Sequence, residues 1–156
     1  MGLSPRAVRA FLEEFGEKRD TGVYNKKTKK FVMWMHVDAN DYGYAQSGVA
    51  VSDKPNGPYK YLGSVKPNGQ QSRDMTLYKD EDDRAYLIYS SESNKTMHVC
   101  LLNDDYLSPT TTYTRITSAQ NREAPAVFKY NKKSGIGNHQ ILFSCAIVLF
   151  IINILI

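Results

Sequence analysis

From residue 23 onward, apolar runs alternate with short polar stretches rich in glycine and proline, the rhythm of strands separated by turns. Residues 31–36 form a continuous apolar and aromatic run, as expected of a strand buried on both faces. Residues 48–52 predict a second strand, closed by the turn signal Asp53-Lys54-Pro55-Asn56-Gly57-Pro58. Residues 75–79 and 85–90 flank the acidic Asp80-Glu81-Asp82-Asp83 and predict a hairpin. Strands over 96–102, 113–117 and 125–130 complete an all-β order. Ahead of it, Ser4-Pro5 reads as a helix start, and Val8, Phe11, Leu12 and Phe15 recur at helical spacing before Gly16. A short amphipathic helix is expected over 5–15. Arg6, Arg9, Glu13 and Glu14 break up any continuous apolar core, so a signal peptide is not expected.

The strand pattern repeats. Val23-Tyr24-Asn25, Leu77-Tyr78-Lys79 and Val127-Phe128-Lys129 are each an apolar-aromatic-polar strand end, with 54 residues from Tyr24 to Tyr78 and 50 from Tyr78 to Phe128. A period near 50 residues with about four strands per unit is the signature of β-propeller blades. The third unit shows no second strand in this reading, because Lys132-Lys133-Ser134-Gly135 leads through polar residues into an apolar tail. A propeller needs at least four blades to close, so the expected architecture is part of one.

Residues 141–156 carry no charge and no amphipathic period. As a helix they would span about 24 Å, short of the roughly 30 Å hydrocarbon core. Lys129, Lys132 and Lys133 precede them, which suits the cytoplasmic flank of a membrane anchor. The competing reading is a mis-spliced end foreign to the parent fold. Both readings stay open, and both leave the tail outside the sheets. The chain therefore divides into a helix and linker (1–21), a partial propeller (22–131), and a linker and apolar tail (132–156).

Composition narrows the function classes. With 42% hydrophobic and 23% charged residues the chain is a globular protein, which excludes disorder. The net charge of +4 is spread out and lacks the clustered stripe of a nucleic-acid binder, so no nucleic-acid partner is expected. Lys26-Lys27-Thr28-Lys29-Lys30 reads as a hairpin tip rather than a phosphate site. Cys100 and Cys145 make no disulfide framework, and His36, His98 and His139 are scattered, so no metal or other cofactor is expected.

Asp74, in Ser72-Arg73-Asp74-Met75, and Glu123, in Arg122-Glu123-Ala124-Pro125, each stand directly before an apolar strand, 49 residues apart. Equivalent blade positions put both at one end of the propeller, near its axis. A carboxylic acid beside a second carboxylate holds its proton more tightly, since the pair resists double ionisation. That is how a general acid for glycosidic cleavage is kept protonated. The plainer alternative makes each Arg-acid pair a local salt bridge capping a strand.

Val23-Tyr24-Asn25 through Met33-Trp34-Met35-His36, Gly48-Val49-Ala50-Val51-Ser52 with Gly57-Pro58, Ser72-Arg73-Asp74-Met75-Thr76, Tyr86-Leu87-Ile88-Tyr89-Ser90-Ser91 and Arg122-Glu123-Ala124-Pro125-Ala126 together resemble glycoside hydrolase family 43. The branch they are most similar to is that of the exo-β-1,3-galactanases, in a plant-type version. The resemblance covers about residues 22–130. It implies a five-bladed propeller with a central sugar pocket, inverting hydrolysis of β-1,3-linked galactan such as arabinogalactan side chains, and no metal in the chemistry. The implied partner is a galactan-type polysaccharide or glycoprotein glycan, and the implied compartment the secretory pathway or cell wall. Glu123 matches the general acid, and Asp74 the aspartate that keeps that acid protonated and orients it. Tyr42 and Asn94 fall where this branch places sugar contacts. Asn94 also opens the sequon Asn94-Lys95-Thr96, a use exclusive of sugar contact.

Two departures bear on activity. Lys18 stands where this branch carries a glutamate, in Glu17-Lys18-Arg19-Asp20. Later blades, including the side chain that holds the attacking water, are missing from the resemblance. The chain is therefore expected to be inactive as truncated; the alternative is a non-catalytic carbohydrate-binding or interaction fragment, membrane-anchored if the tail is an anchor.

Overall fold

The computed structural model describes residues 22–121, 123–130, 140–145 and 148–152, so the helix expected over 5–15 and Lys18 lie outside the described residues. Two four-stranded antiparallel sheets follow in simple chain order. The first comprises β1 (Gly22–Asn25), β2 (Lys30–Val37), β3 (Gln46–Ser52) and β4 (Lys60–Val65). The second comprises β5 (Met75–Lys79), β6 (Ala85–Ser91), β7 (Thr96–Leu102) and β8 (Pro109–Ile116). A third sheet has the order β11-β10-β9, from β9 (Ala126–Tyr130), β10 (Gln140–Cys145) and β11 (Val148–Ile152). The leading strands β1, β5 and β9 lie against one another. Each sheet is thus a meander that starts at the inside and runs outward, and together they form part of a β-propeller.

Two expectations are corrected here. The tail does not lie outside the sheets, and the third unit does not lack a second strand. β10 pairs with β9 in the register Phe143↔Val127, and β11 pairs in turn with β10. An unbroken apolar run has no period, so periodicity cannot tell a helix from a buried strand. Among the described residues no helix is long and apolar enough to cross a membrane. β4 is a strand the pattern did not announce. Its residues are half-buried to exposed and Gly63 interrupts it, as suits the outer strand of a blade.

Period-two alternation explains the continuous apolar run in β6. Leu87 and Tyr89 face the first sheet, where they pack with Val32 and Trp34 of β2 and Cys100 and Leu102 of β7. Tyr86 and Ile88 point the other way and pack with Val99, Tyr78 and Val127 of the third sheet's leading strand. β6 is therefore sandwiched, and all seven of its residues are buried. Trp34 is fully buried and donates its indole N–H to the Tyr106 carbonyl at 2.8 Å, bridging the first two sheets. Gly48 is required by close approach, since a Cβ there would meet Val37 Cγ2 at 2.7 Å. In both four-stranded sheets the pairing of the two outermost strands slips, at Val49/Ala50 and at Cys100/Leu102. Such bulges strengthen the twist of each blade.

The meander sorts the connections to two ends. The β1–β2, β5–β6 and β7–β8 turns gather at one end, joined by Lys26–Asp83 and by Asn25 with Asp104. The β2–β3 loop, the entry to β5, the β6–β7 turn and the segment leading into β9 gather at the other.

Candidate carbohydrate site at the β5 and β9 entries

Asp74 is the residue just before β5, and its backbone is locked against the end of β6. The Ser90 N–H donates to the Asp74 carbonyl at 2.9 Å, and the Arg73 N–H to the Ser90 carbonyl at 3.0 Å. The Asp74 carboxylate then reaches out of the blade. Its Oδ2 accepts from the backbone N–H of Ala124 at 3.2 Å, across 50 residues of chain. That bond pins the segment carrying Glu123 onto the entry of the second sheet.

Asp74 precedes Tyr78 by four residues and Glu123 precedes Phe128 by five, so one residue must be absorbed. Ala124, between Glu123 and Pro125, adopts a left-handed φ of 50°. Left-handed backbone at a residue with a Cβ is uncommon, and it persists where surrounding contacts over-determine it.

Glu123 is exposed, and its Oε1 accepts a hydrogen bond from Asn94 Nδ2. The other end of that carboxamide is fixed too, because Ser90 Oγ donates to Asn94 Oδ1 at 3.1 Å. Asn94 is half-buried in the β6–β7 turn, with a left-handed φ of 66°. Tyr42, also left-handed at 58°, is 64% exposed, so its ring stands at the surface of the β2–β3 loop. Arg73 Nη2 donates to the Tyr42 carbonyl at 3.0 Å and ties that loop to the residue next to Asp74. The loop is organised from within by Asp38, whose Oδ1 accepts the backbone N–H groups of Ala39, Tyr44 and Ala45 at 2.9–3.0 Å. These bonds and nearby His36 hold the Asp38 carboxyl below its ordinary range, outweighing the opposing effect of burial.

All four residues singled out in the sequence thus share one end of the molecule and one hydrogen-bonded path. It runs from Tyr42 through Arg73 to Asp74, and from Asp74 through Ala124, Glu123 and Asn94 to Ser90. Arg73 and Ser90 were not singled out. Ser90 lies within the aromatic run of β6, and nothing in that pattern marks its hydroxyl as a partner of a turn residue. Chemically, the arrangement offers two carboxyl groups, an amide donor and an exposed aromatic ring on one rim, a set suited to a polyhydroxylated ligand.

A cavity of about 540 Å³ opens at the opposite end, lined by Asn25, Lys26, Asp83, Arg84, Asp104 and Tyr106 among others. Its carboxylates are matched to cations, with Lys26–Asp83 at 3.0 Å, Lys27–Asp104 at 2.7 Å and Arg84–Asp82 at 2.6 Å. The β1–β2 connection is the lysine-rich hairpin tip expected from the sequence. This end is a set of satisfied ion pairs, and size alone does not make it the site.

No curated protein matches the chain. Solved structures do. A GH43 β-1,3-galactosidase is 43% identical, with a TM-score of 0.70, over 80% of this chain and 26% of its own. An exo-β-1,3-galactanase from Phanerochaete chrysosporium, solved with galactose, is 35% identical with a TM-score of 0.68, over 79% of this chain and 28% of its own. An exo-β-1,3-galactanase from Clostridium thermocellum is 27% identical with a TM-score of 0.68, over 83% of this chain and 34% of its own. The chain therefore spans about a quarter to a third of the length of these relatives. With the sequence profile of the glycosyl hydrolases family 43 matching residues 23–134, the chain belongs to that family.

Proposed function

We propose that this chain carries the acid side of an inverting glycosidase site for β-1,3-linked galactan. The carrying observation is the junction at which the Asp74 carboxylate holds the Ala124 N–H while Asn94 holds the adjacent Glu123. In this reading Glu123 protonates the leaving glycosidic oxygen. Asp74 fixes the backbone that carries Glu123 and sets the local negative charge. Asn94 and Tyr42 contact the sugar, the amide by hydrogen bonding and the exposed ring by covering an apolar face of a pyranose. The similar structures, a β-1,3-galactosidase and exo-β-1,3-galactanases, support the galactan class.

Inversion also needs a base that activates water on the far face of the sugar, with the two carboxyl groups about 6.5–9.5 Å apart. No described residue is assigned that role, so binding of galactose by these 156 residues is expected and turnover by them alone is not. A non-catalytic carbohydrate-binding fragment is the second reading, favoured by the lack of an assigned base among the described residues.

The test titrates the chain with D-galactose and β-1,3-galactobiose by NMR and assays galactose release from β-1,3-galactan. Binding should perturb Tyr42, Asp74, Asn94 and Glu123. Where release is seen, Glu123→Gln should lower it by about 10²–10⁴-fold, the usual contribution of a general acid. Binding without release supports the second reading. Perturbations confined to the opposite end, or none at all, overturn both.

A further inference from the structure

Asn94 sits at the centre of the proposed site, in a turn closed by the Lys95 N–H to the Glu92 carbonyl at 3.3 Å. Glu92, Ser93 and Asn94 are all left-handed, with φ of 52°, 57° and 66°. Three consecutive non-glycine residues in this region form a strained turn that must be held from outside. The hold comes from Glu92 itself. Glu92 turns its carboxylate back across the blade, away from the sugar rim. Its Oε2 accepts the Thr96 hydroxyl at 2.8 Å and Arg115 Nη2 at 2.8 Å, and its Oε1 lies 2.7 Å from the same guanidinium nitrogen. Behind it stands the buried His98, whose Nε2 faces Oε1 at 3.5 Å, longer than a normal hydrogen bond. The turn is also tied on its rim side, by Ser93 N–H to Gln71 Oε1 at 3.3 Å and Gln120 N–H to the Lys95 carbonyl at 3.1 Å.

We propose that Glu92 is a positioning residue of the site: its carboxylate, clasped by Thr96 and Arg115, keeps residues 92–94 left-handed and so delivers the Asn94 carboxamide to Glu123. The clasp works at a distance. Glu92 bonds to Thr96 and Arg115, and it acts on Asn94 through the turn that it begins. The significance of the arrangement rests on the glycosidase reading, but its geometry does not.

The test is therefore spectroscopic and needs no sugar. In the full chain, the side-chain amide resonances of Asn94 should move with pH as the neighbouring carboxyl titrates. Asp74, Glu92, Glu123, Lys95, His98 and Arg115 all lie around this turn, so Glu123→Gln identifies which part of the movement belongs to Glu123. Glu92→Ala should abolish that part while the remaining amide spectrum stays dispersed, and Glu92→Gln, which keeps an oxygen for Thr96 and Arg115, should restore much of it. If Glu92→Ala does not fold, Arg115→Met decides, since Arg115 is exposed on the outer strand and its loss spares the core. Loss of the Asn94 movement in that variant supports the clasp. A full Glu123-dependent movement in a folded Glu92→Ala, or in Arg115→Met where that variant decides, overturns it. A chain that binds no galactose but keeps this pattern would refute the glycosidase reading and leave the clasp standing.

Discussion

The two ends of the blades are built from similar residue types and use them in opposite ways. At the turn end, Lys26–Asp83 and Lys27–Asp104 pair between blades at the surface, while buried uncharged groups make a second tie underneath. Asn25, 1% exposed, donates Nδ2 to the Asp104 carbonyl at 2.8 Å and accepts the Lys27 and Thr28 N–H groups, both at 2.9 Å. Tyr106, 3% exposed, donates its hydroxyl to the Asp83 carbonyl and accepts the Trp34 indole. At the Asp74 end the carboxylates themselves make the ties, to a backbone N–H and to a side-chain amide. The turn end is thus laid out as a surface of ion pairs over a neutral tie, and the Asp74 end as a rim whose segments are joined through carboxylates.

The largest effect should come from removing the uncharged tie. Asn25→Ala strands the Asp104 carbonyl and the Lys27 and Thr28 N–H groups, whose bonds to the buried Asn25 side chain are part-buried. A stranded buried polar group costs about 1–3 kcal/mol, so a loss near 2 kcal/mol is expected after partial rehydration. Urea unfolding followed by Trp34 fluorescence measures it. A loss no larger than that of a surface substitution would erase the distinction between the ends.

Much of this was legible in the sequence, for identifiable reasons. Strands β1–β3 and β5–β7 announce themselves because buried strands need apolar residues, and the repeat near 50 residues follows from Tyr24, Tyr78 and Phe128 closing equivalent inner strands. Asp74 and Glu123 stand out because each immediately precedes an apolar strand. β4 was not, since an outer strand faces water and can be almost any sequence. Nor was the strand character of residues 140–145 and 148–152, whose partner is set by register with β9 rather than by local pattern. The clasp on Glu92 was hidden because it joins a turn to an outer strand 23 residues later through contacts that have no period.

A second, smaller effect separates the ends by pH. His98 is 1% exposed, and burial pushes its imidazole below its ordinary value, with Arg115 adding to this and Glu92 opposing it. The folded value then lies below the unfolded one of about 6.5. Between the two, the unfolded chain binds more protons than the folded chain, so stability is fully present above about pH 6.5 and declines as pH falls through the folded value. Asn25 does not titrate, and the aspartates of the turn end, Asp82, Asp83 and Asp104, are held below their ordinary range and lose their pairing only at more acid pH. Thermal unfolding midpoints between about pH 7 and 5 should fall in the natural chain and fall less steeply in His98→Gln. Parallel slopes in the two proteins would remove His98 from the account.

The smallest effect should come from the surface ion pairs, and it tests whether the turn end owes anything to its charge. Lys27 and Asp104 approach to 2.7 Å, but their side chains are 71% and 85% exposed, so water and salt compete for both. Each partner raises the charge preference of the other: the Asp104 hydrogen bond pushes the Lys27 amine up, and Lys27 holds the Asp104 carboxyl down. At this exposure such mutual shifts need not register in stability, because ordering two long, hydrated side chains offsets the attraction. Lys27→Ala isolates the question, since the Lys27 backbone N–H that bonds to Asn25 Oδ1 survives the substitution. The variant should unfold at the same urea midpoint as the natural chain within error, at low salt and in 1 M sodium chloride alike. A lower midpoint at low salt, with the difference vanishing at high salt, would show that the ion pairs do support this end and would overturn the division between a neutral tie and a solvated charged surface.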